Sequence, residues 1–173
     1  MGTPGSPYPS GRTSPEKALQ KLRHYCGYHE RSRSEARLKL YSLGLHKKDV
    51  EELMARLIEE EYLNEERFAR LFASGKSRLK GWGRQKIRHE LRQKGVSTIC
   101  IEQALNALDE SEYANGFNRL AHKKWDTLRT EKNIFVRKSK WQQFLLQRGF
   151  EPALIRSWSF PAEKDTGTEA DNR

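Results

Sequence analysis

Cysteine is scarce in this chain. Only Cys26 and Cys100 are present, too few for a disulfide framework. Both sit in apolar patterns, which predicts core packing, and free thiols suit a reducing cytosol. Long apolar runs are missing too, and none approaches the ~20 residues of a membrane span. The opening stretch, MGTPGSPYPSGRTSP, lacks the apolar segment of a signal peptide. Its four prolines, three glycines and three serines instead predict a disordered leader over 1–15. The tail over 161–173 reads the same way. A cytoplasmic protein without a membrane partner is expected.

Chemistry-bearing constellations are equally thin. Gly81-Trp82-Gly83 lacks the lysine-serine context of a phosphate-binding loop. His24, His29, His46, His89 and His122 make no metal-ligand array, and Cys26-x-x-His29 is a lone pair. No nucleophile or base pairs with the acids. The chain is expected to be no enzyme and to need neither cofactor nor metal.

Charge is abundant. The 173 residues carry a net charge of +10, and 32% are charged against 35% hydrophobic. Such a composition favours thin cores in an elongated molecule, and the basic excess points to a polyanion or an acidic protein surface. The charge is also sorted. Residues 49–67 hold Asp49, Glu51, Glu52, Glu59, Glu60, Glu61, Glu65 and Glu66 against Arg56 and Arg67. Residues 76–94 reverse this, with Lys76, Arg78, Lys80, Arg84, Lys86, Arg88, Arg92 and Lys94 against Glu90.

Strand signals are scarce between residues 16 and 160, and helical periodicity dominates. Val50, Leu53, Met54, Leu57 and Ile58 form one apolar stripe, and Ile101, Ala104, Leu105 and Leu108 form another. Ser14-Pro15-Glu16 and Asn64-Glu65-Glu66 read as helix starts. Three segments then align: RLKLYSLGLHKKDV, RHELRQKGVSTICI and QQFLLQRGFEPALI. Each has a leucine four residues before a glycine (Leu40, Leu91, Leu145) and an apolar residue just after it (Leu45, Val96, Phe150). A β-branched residue follows six past the glycine (Val50, Ile101, Ile155), and Ala36, Ile87 and Trp141 stand eight before it. Gly44, Gly95 and Gly149 are 51 and 54 residues apart, an internal repeat at helical-array spacing. Each glycine suits a left-handed helix C-cap. A further helix is expected before each pair, over 16–31, 65–78 and 112–125. The predicted fold is all-α: an elongated array of three tandem three-helix repeats over 16–63, 64–110 and 111–160, between disordered termini.

Three-helix modules resemble DNA-reading helix-turn-helix domains. The second helices start KKDVEEL, STICIEQ and EPALIRS, acidic or apolar where a base-reading face wants Asn, Gln or Arg. The basic runs are better binding candidates. Arg84, Arg88 and Arg92 fall at i, i+4 and i+8, a basic stripe opposite Ile87 and Leu91. Trp82 lies in what reads as a flexible glycine loop, suited to stacking on a base, to anchoring a protein interface, or to ordinary packing. Lys123, Lys124, Lys132, Arg137, Lys138 and Lys140 form a second run. For both runs a solvated helix face is the plain alternative.

Several short pieces then combine. They are Leu63-Asn64-Glu65-Glu66-Arg67-Phe68-Ala69, Gly83-Arg84 with Ile87, Glu90-Leu91, Lys94-Gly95-Val96, Leu120-Ala121 with Lys123-Lys124, and Leu145 with Arg148-Gly149-Phe150. In order and in the repeat frame, over residues 16–158, they resemble the RecX regulators of the RecA recombinase. Glu35-Ala36 departs from the family's usual Glu-Leu, and residues 127–140 are longer than a tight turn requires. The resemblance implies three tandem three-helix repeats lying in the groove of the RecA filament on single-stranded DNA. It also implies that strand exchange, ATP hydrolysis and coprotease action are modulated, usually inhibited. The expected partners are the RecA filament and single-stranded DNA, met by a monomer. The other functional reading is a non-specific single-stranded nucleic-acid binder without a recombinase partner, with a transcription factor more distant.

Overall fold

A computed structural model describes residues 13–161; the leader and tail expected to be disordered lie, apart from Thr13, Ser14, Pro15 and Pro161, outside the described residues. The described residues form nine helices and no strand: α1 (Pro15–Tyr28), α2 (Arg33–Ser42), α3 (Lys47–Glu59), α4 (Glu65–Lys80), α5 (Arg84–Gln93), α6 (Thr98–Asn106), α7 (Glu110–Thr127), α8 (Ile134–Gln147) and α9 (Pro152–Arg156). None of them is long and apolar enough to cross a membrane.

Local chemistry sets the boundaries. The Ser14 hydroxyl accepts from the Lys17 amide, with Pro15 opening α1. This helix stops at Tyr28, three residues short of the expected end, because Ser32 and Glu35 form a reciprocal capping box that starts α2. Asn64 caps α4, with Glu65 and Glu66 in its first turn. Asp109 caps α7, so that helix begins two residues before the expected start. The long 127–140 segment is mostly helix, with Asn133 accepting from the Phe135 and Val136 amides where α8 begins.

The repeat glycines end helices as expected. Gly44, Gly95 and Gly149 have φ of 81°, 74° and 83°. At the second repeat the Val96 amide donates to the Leu91 carbonyl at 3.1 Å and the Gly95 amide to Arg92 at 2.9 Å; Phe150 to Leu145 at 3.2 Å and Gly149 to Leu146 at 2.9 Å reproduce this in the third. These paired bonds close orphan carbonyls in a Schellman turn. Leu40, Leu91 and Leu145 are fully buried, as are Ala36, Ile87, Val50 and Ile101.

Three cores result. The first joins α1, α2 and α3 around Leu22, Leu40 and Leu57. A second joins α4, α5 and α6 around Phe68, Leu91 and Ile101. The third joins α7, α8 and α9 and is aromatic, with Phe117, Trp125, Trp141 and Trp158. Its last helix has only five residues; Trp158 beyond it stacks on Trp141 at 4.6 Å and completes that core instead. Cys26 is buried and Cys100 half-buried, both as free thiols.

Candidate binding surface

The basic residues singled out by sequence divide into three groups. Several are committed to ion pairs. Arg84, expected on an open stripe, bonds Glu110 at 2.5 Å and Glu151 at 3.3 Å and lies over the Tyr113 ring at 4.2 Å. Arg88 holds Glu102 through two bonds of 2.8 and 2.9 Å, which hold that carboxyl below the usual carboxylate range. Arg78 pairs with Glu112 at 2.7 Å, Lys94 with Glu35 at 2.7 Å, and Lys140 with Glu131 at 2.7 Å. Two members of the 84–88–92 stripe are therefore joints between helices, because their carboxylate partners arrive from α6, α7 and the α9 cap.

A second group covers aromatic faces. The Lys76 and Lys86 ammonium groups lie over the Trp82 ring at 4.9 and 4.7 Å. Lys124 lies over Phe144 at 4.9 Å and Lys138 over Phe160 at 4.9 Å. Arg137 is buried, 3.8 Å above the Trp125 ring, and donates to the Trp125 carbonyl at 3.2 Å. It packs the third core and offers no open charge to a ligand.

The third group is open. Lys80, Arg92, Lys123 and Lys132 are exposed and form no ion pair among the described residues. Arg119, which sequence reasoning did not single out, is exposed in the same way, one helical turn before Lys123 on α7. Its signal was its i, i+4 spacing to Lys123.

Trp82 is not in a loose loop. Gly81 takes the left-handed cap of α4 at φ 61°. The Gly83 and Gln85 amides donate to the Arg148 and Gly149 carbonyls at 2.8 and 3.0 Å. Arg148 in turn donates to the Lys80 carbonyl at 2.7 Å. The indole is half-buried against Phe72, its ring centroid 6.5 Å away. The loop is pinned because it forms the joint between the second and third cores. Tyr113 completes that joint: its hydroxyl accepts from the Arg84 amide at 2.9 Å and donates to Glu151 at 2.7 Å. Burial first, then this carboxylate, push the phenol well above its ordinary pKa.

The first and second cores are joined by charge. Arg67 bonds Glu30 at 2.6 Å, and the Ser34 hydroxyl donates to the Lys94 carbonyl at 2.8 Å beside the Lys94–Glu35 pair. Burial opposes ionisation of Glu35, but Lys94 and Ser32 outweigh it and hold the carboxyl low. Between α4 and α7 lies an open cleft of about 880 Å3, with Lys80, Arg119 and Lys123 among its walls. Among the described residues no three His, Cys, Asp or Glu side chains gather as a metal site.

Comparison with known proteins places this architecture. The model of the second three-helix domain of RecX matches residues 64–105, and that of the third matches 116–158. The regulatory protein RecX of Prosthecochloris aestuarii is 36% identical over 140 residues, covering 81% of this chain and 89% of the relative. That of Shigella boydii is 32% identical over 151 residues, covering 82% and 89%. In fold, the crystal structure of RecX from Lactobacillus salivarius matches with a TM-score of 0.73 at 24% identity, over 82% of this chain and 92% of that one. A second crystal structure, of a regulatory protein RecX, gives 0.75 at 24% identity, over 83% and 70%. The chain belongs to the RecX family of regulatory proteins.

Proposed function

We propose that this protein is a non-enzymatic regulator, acting chiefly as an inhibitor, of the RecA recombinase in the cytoplasm. In this reading it lies as a monomer in the groove of the RecA–single-stranded DNA filament and modulates ATP hydrolysis, strand exchange and coprotease action during DNA repair and the SOS response. The three repeats, at 16–63, 64–110 and 111–160, act as linked modules along the groove. The observation that carries the reading is family membership, with relatives matching 81% and 82% of the chain. The joints support it: Glu35–Lys94, and the Arg84–Tyr113–Glu151 network, tie consecutive cores together. A ligand spanning several filament subunits needs its modules held in register. The sorted surface charge also fits a partner that presents DNA phosphates and protein of both signs.

Lys80, Arg92 and Lys123 are the open cations in this proposal, with Lys76, Lys124 and Lys138 able to leave their rings for an anion. Arg78, Arg84, Arg88, Lys94 and Lys140 serve through their ion pairs, Arg137 through its core, and Trp82 through its joint.

The test compares binding to bare single-stranded DNA with binding to DNA already coated by RecA, and follows RecA-driven ATP hydrolysis on preformed filaments. A regulator acts at low ratios to RecA subunits, because one molecule touches several. A plain nucleic-acid binder acts only near saturation of bare DNA, and excess free strand titrates its effect away.

A further inference from the structure

The cleft between α4 and α7 combines features that its own packing does not use. Leu79 is 84% exposed and Leu71 is 55% exposed, both on the α4 wall. One exposed leucine is ordinary on a protein surface. Two leucines in one cleft of about 880 Å3, facing the half-buried Leu120, form an apolar strip with no cover among the described residues.

The charge around the strip is uneven. Arg70 is taken by Glu66 at 2.5 Å and Arg78 by Glu112 at 2.7 Å. Asp109 caps α7 and accepts the Ser111 hydroxyl, which holds its carboxyl low. Lys80, Arg119 and Lys123 remain without a carboxylate. The cleft therefore presents leucine side chains among three uncompensated cations.

We propose that this cleft docks an acidic segment of a partner protein whose apolar side chains cover Leu71 and Leu79 and whose carboxylates meet Lys80, Arg119 and Lys123. The proposal deepens the regulator reading, and the segment then belongs to the surface of a RecA subunit. Nucleic acid fits less well. A phosphate backbone wants an unbroken basic track, and here leucines interrupt the cations while Asp109 and Glu112 are among the walls. A segment alternating carboxylates with apolar side chains matches both components.

The test uses the full chain, a Leu71→Ser/Leu79→Ser variant and a Lys80→Gln/Lys123→Gln variant. A thermal melt close to that of the wild type checks that each variant folds, as these side chains are exposed. The first probe is a labelled helical peptide of glutamate and leucine, with an all-glutamate peptide as control. The mixed peptide should bind more tightly than the control, and each variant should weaken it by about tenfold or more. The second probe is bare single-stranded DNA, on which the leucine variant should behave as wild type. The third is the preformed RecA filament, on which that variant should need about tenfold more protein for the same effect. Equal binding of the two peptides, or a leucine variant that binds the mixed peptide as wild type does, overturns the cleft proposal. Parallel loss on bare DNA by the leucine variant makes the cleft a nucleic-acid groove and overturns it too. Wild-type protein inert on filaments sinks the regulator reading alone, since the peptide still decides the cleft.

Discussion

The backbones of Gly83 and Gly149 touch. A Cβ built on Gly83 would lie 2.2 Å from the Gly149 carbonyl oxygen, and one built on Gly149 would lie 2.3 Å from the Lys86 Cβ. Neither obstacle is the end of a flexible side chain, so neither can swing aside. This contact lets the Gly83 amide reach the Arg148 carbonyl at 2.8 Å and seals the joint between the second and third cores. Gly83→Ala should therefore destabilise the protein by about 1–3 kcal/mol, as overpacking does. Gly75, inside α4, is the control: its added Cβ would meet nothing within 4 Å. Gly75→Ala should stabilise by about 0.5–1 kcal/mol through helix propensity. Opposite shifts in melting temperature check the pair; a shared sign would contradict the joint.

Salt dependence separates open cations from paired ones. On single-stranded DNA each phosphate contact contributes about 0.7 to the slope of log affinity against log salt. On bare single-stranded DNA, where no partner segment fills the cleft and its lysines stay open to phosphates, changing Lys80, Arg92 and Lys123 to Ala should reduce the slope by up to ~2. Changing Arg84 and Arg88 to Ala should instead lower stability, by about 1–2 kcal/mol for Arg84, whose loss leaves the half-buried Glu151 with the Tyr113 hydroxyl but without its cation. The slope should then change little. A slope that falls for the arginine pair and not for the open cations would reverse this division.

The contrast marks what was legible in the sequence. Leu40, Gly44 and Leu45, with their counterparts at 91, 95, 96 and at 145, 149, 150, act within one helical turn, so a chain-local pattern reveals them. The end of α1 was missed by three residues because the Ser32–Glu35 box that stops it lies in the next helix's signal. Arg84 and Arg88 looked like an open stripe because Glu102, Glu110 and Glu151 reach them only after the helices pack. The loop of Trp82 read as flexible for the same reason: its fixing partners, Arg148 and Gly149, are far along the chain. Arg137 sits in a basic run, yet the aromatic third core takes it in. The cleft leucines were invisible in another way, since helical spacing does not tell a face covered by a neighbour from a face left bare.

The two thiols should react at different rates. Burial pushes the Cys26 thiol up to about 11, opposed in part by Arg31. At pH 8 a thiol reagent should label Cys100 in the folded protein and reach Cys26 only after denaturation. A raised acid stabilises fully below its unfolded value of ~8.5, and that contribution is lost as pH rises towards 11. The stability gap between wild type and Cys26→Ala should accordingly narrow between those pH values. Rapid labelling of both thiols in the native protein would mean that the first core opens readily.

Glu35 predicts the behaviour in acid. Its carboxyl is held low by Lys94 and Ser32 despite burial. A depressed acid contributes stability above its unfolded value of ~4.3 and loses it as pH falls through the folded value. Glu35→Gln should be less stable than wild type at pH 7, and the two should converge in acid. Lys94→Met should produce much of the same loss, and the double variant should fall short of the sum, as expected for a bonded pair. Full additivity would mean that the pair does not link the first two cores.

The acidic side of the molecule tests the filament reading most directly. The acidic run over 49–67 includes three consecutive glutamates, Glu59, Glu60 and Glu61, which the structure gives different surroundings. Glu60 holds Arg23 through two bonds of 2.8 and 2.6 Å, which ties α1 to α3 and keeps its carboxyl low. Glu61 bonds the Asn64 side chain at 3.1 Å at the α4 cap. Reversing these two would damage the first core or the start of the second. Glu52 and Glu59 are exposed on α3, two turns apart, and meet no cation among the described residues. The informative variant is therefore Glu52→Lys/Glu59→Lys. Four units of added positive charge should strengthen binding to bare single-stranded DNA and steepen its salt dependence. If this face meets a basic surface on the filament, the same variant should act more weakly on preformed RecA filaments, read as ATP hydrolysis during a titration. A solvated face would leave filament action unchanged. Parallel gains on bare DNA and on the filament would mean that phosphates dominate both, and the plain nucleic-acid binder would then be the better account of this chain.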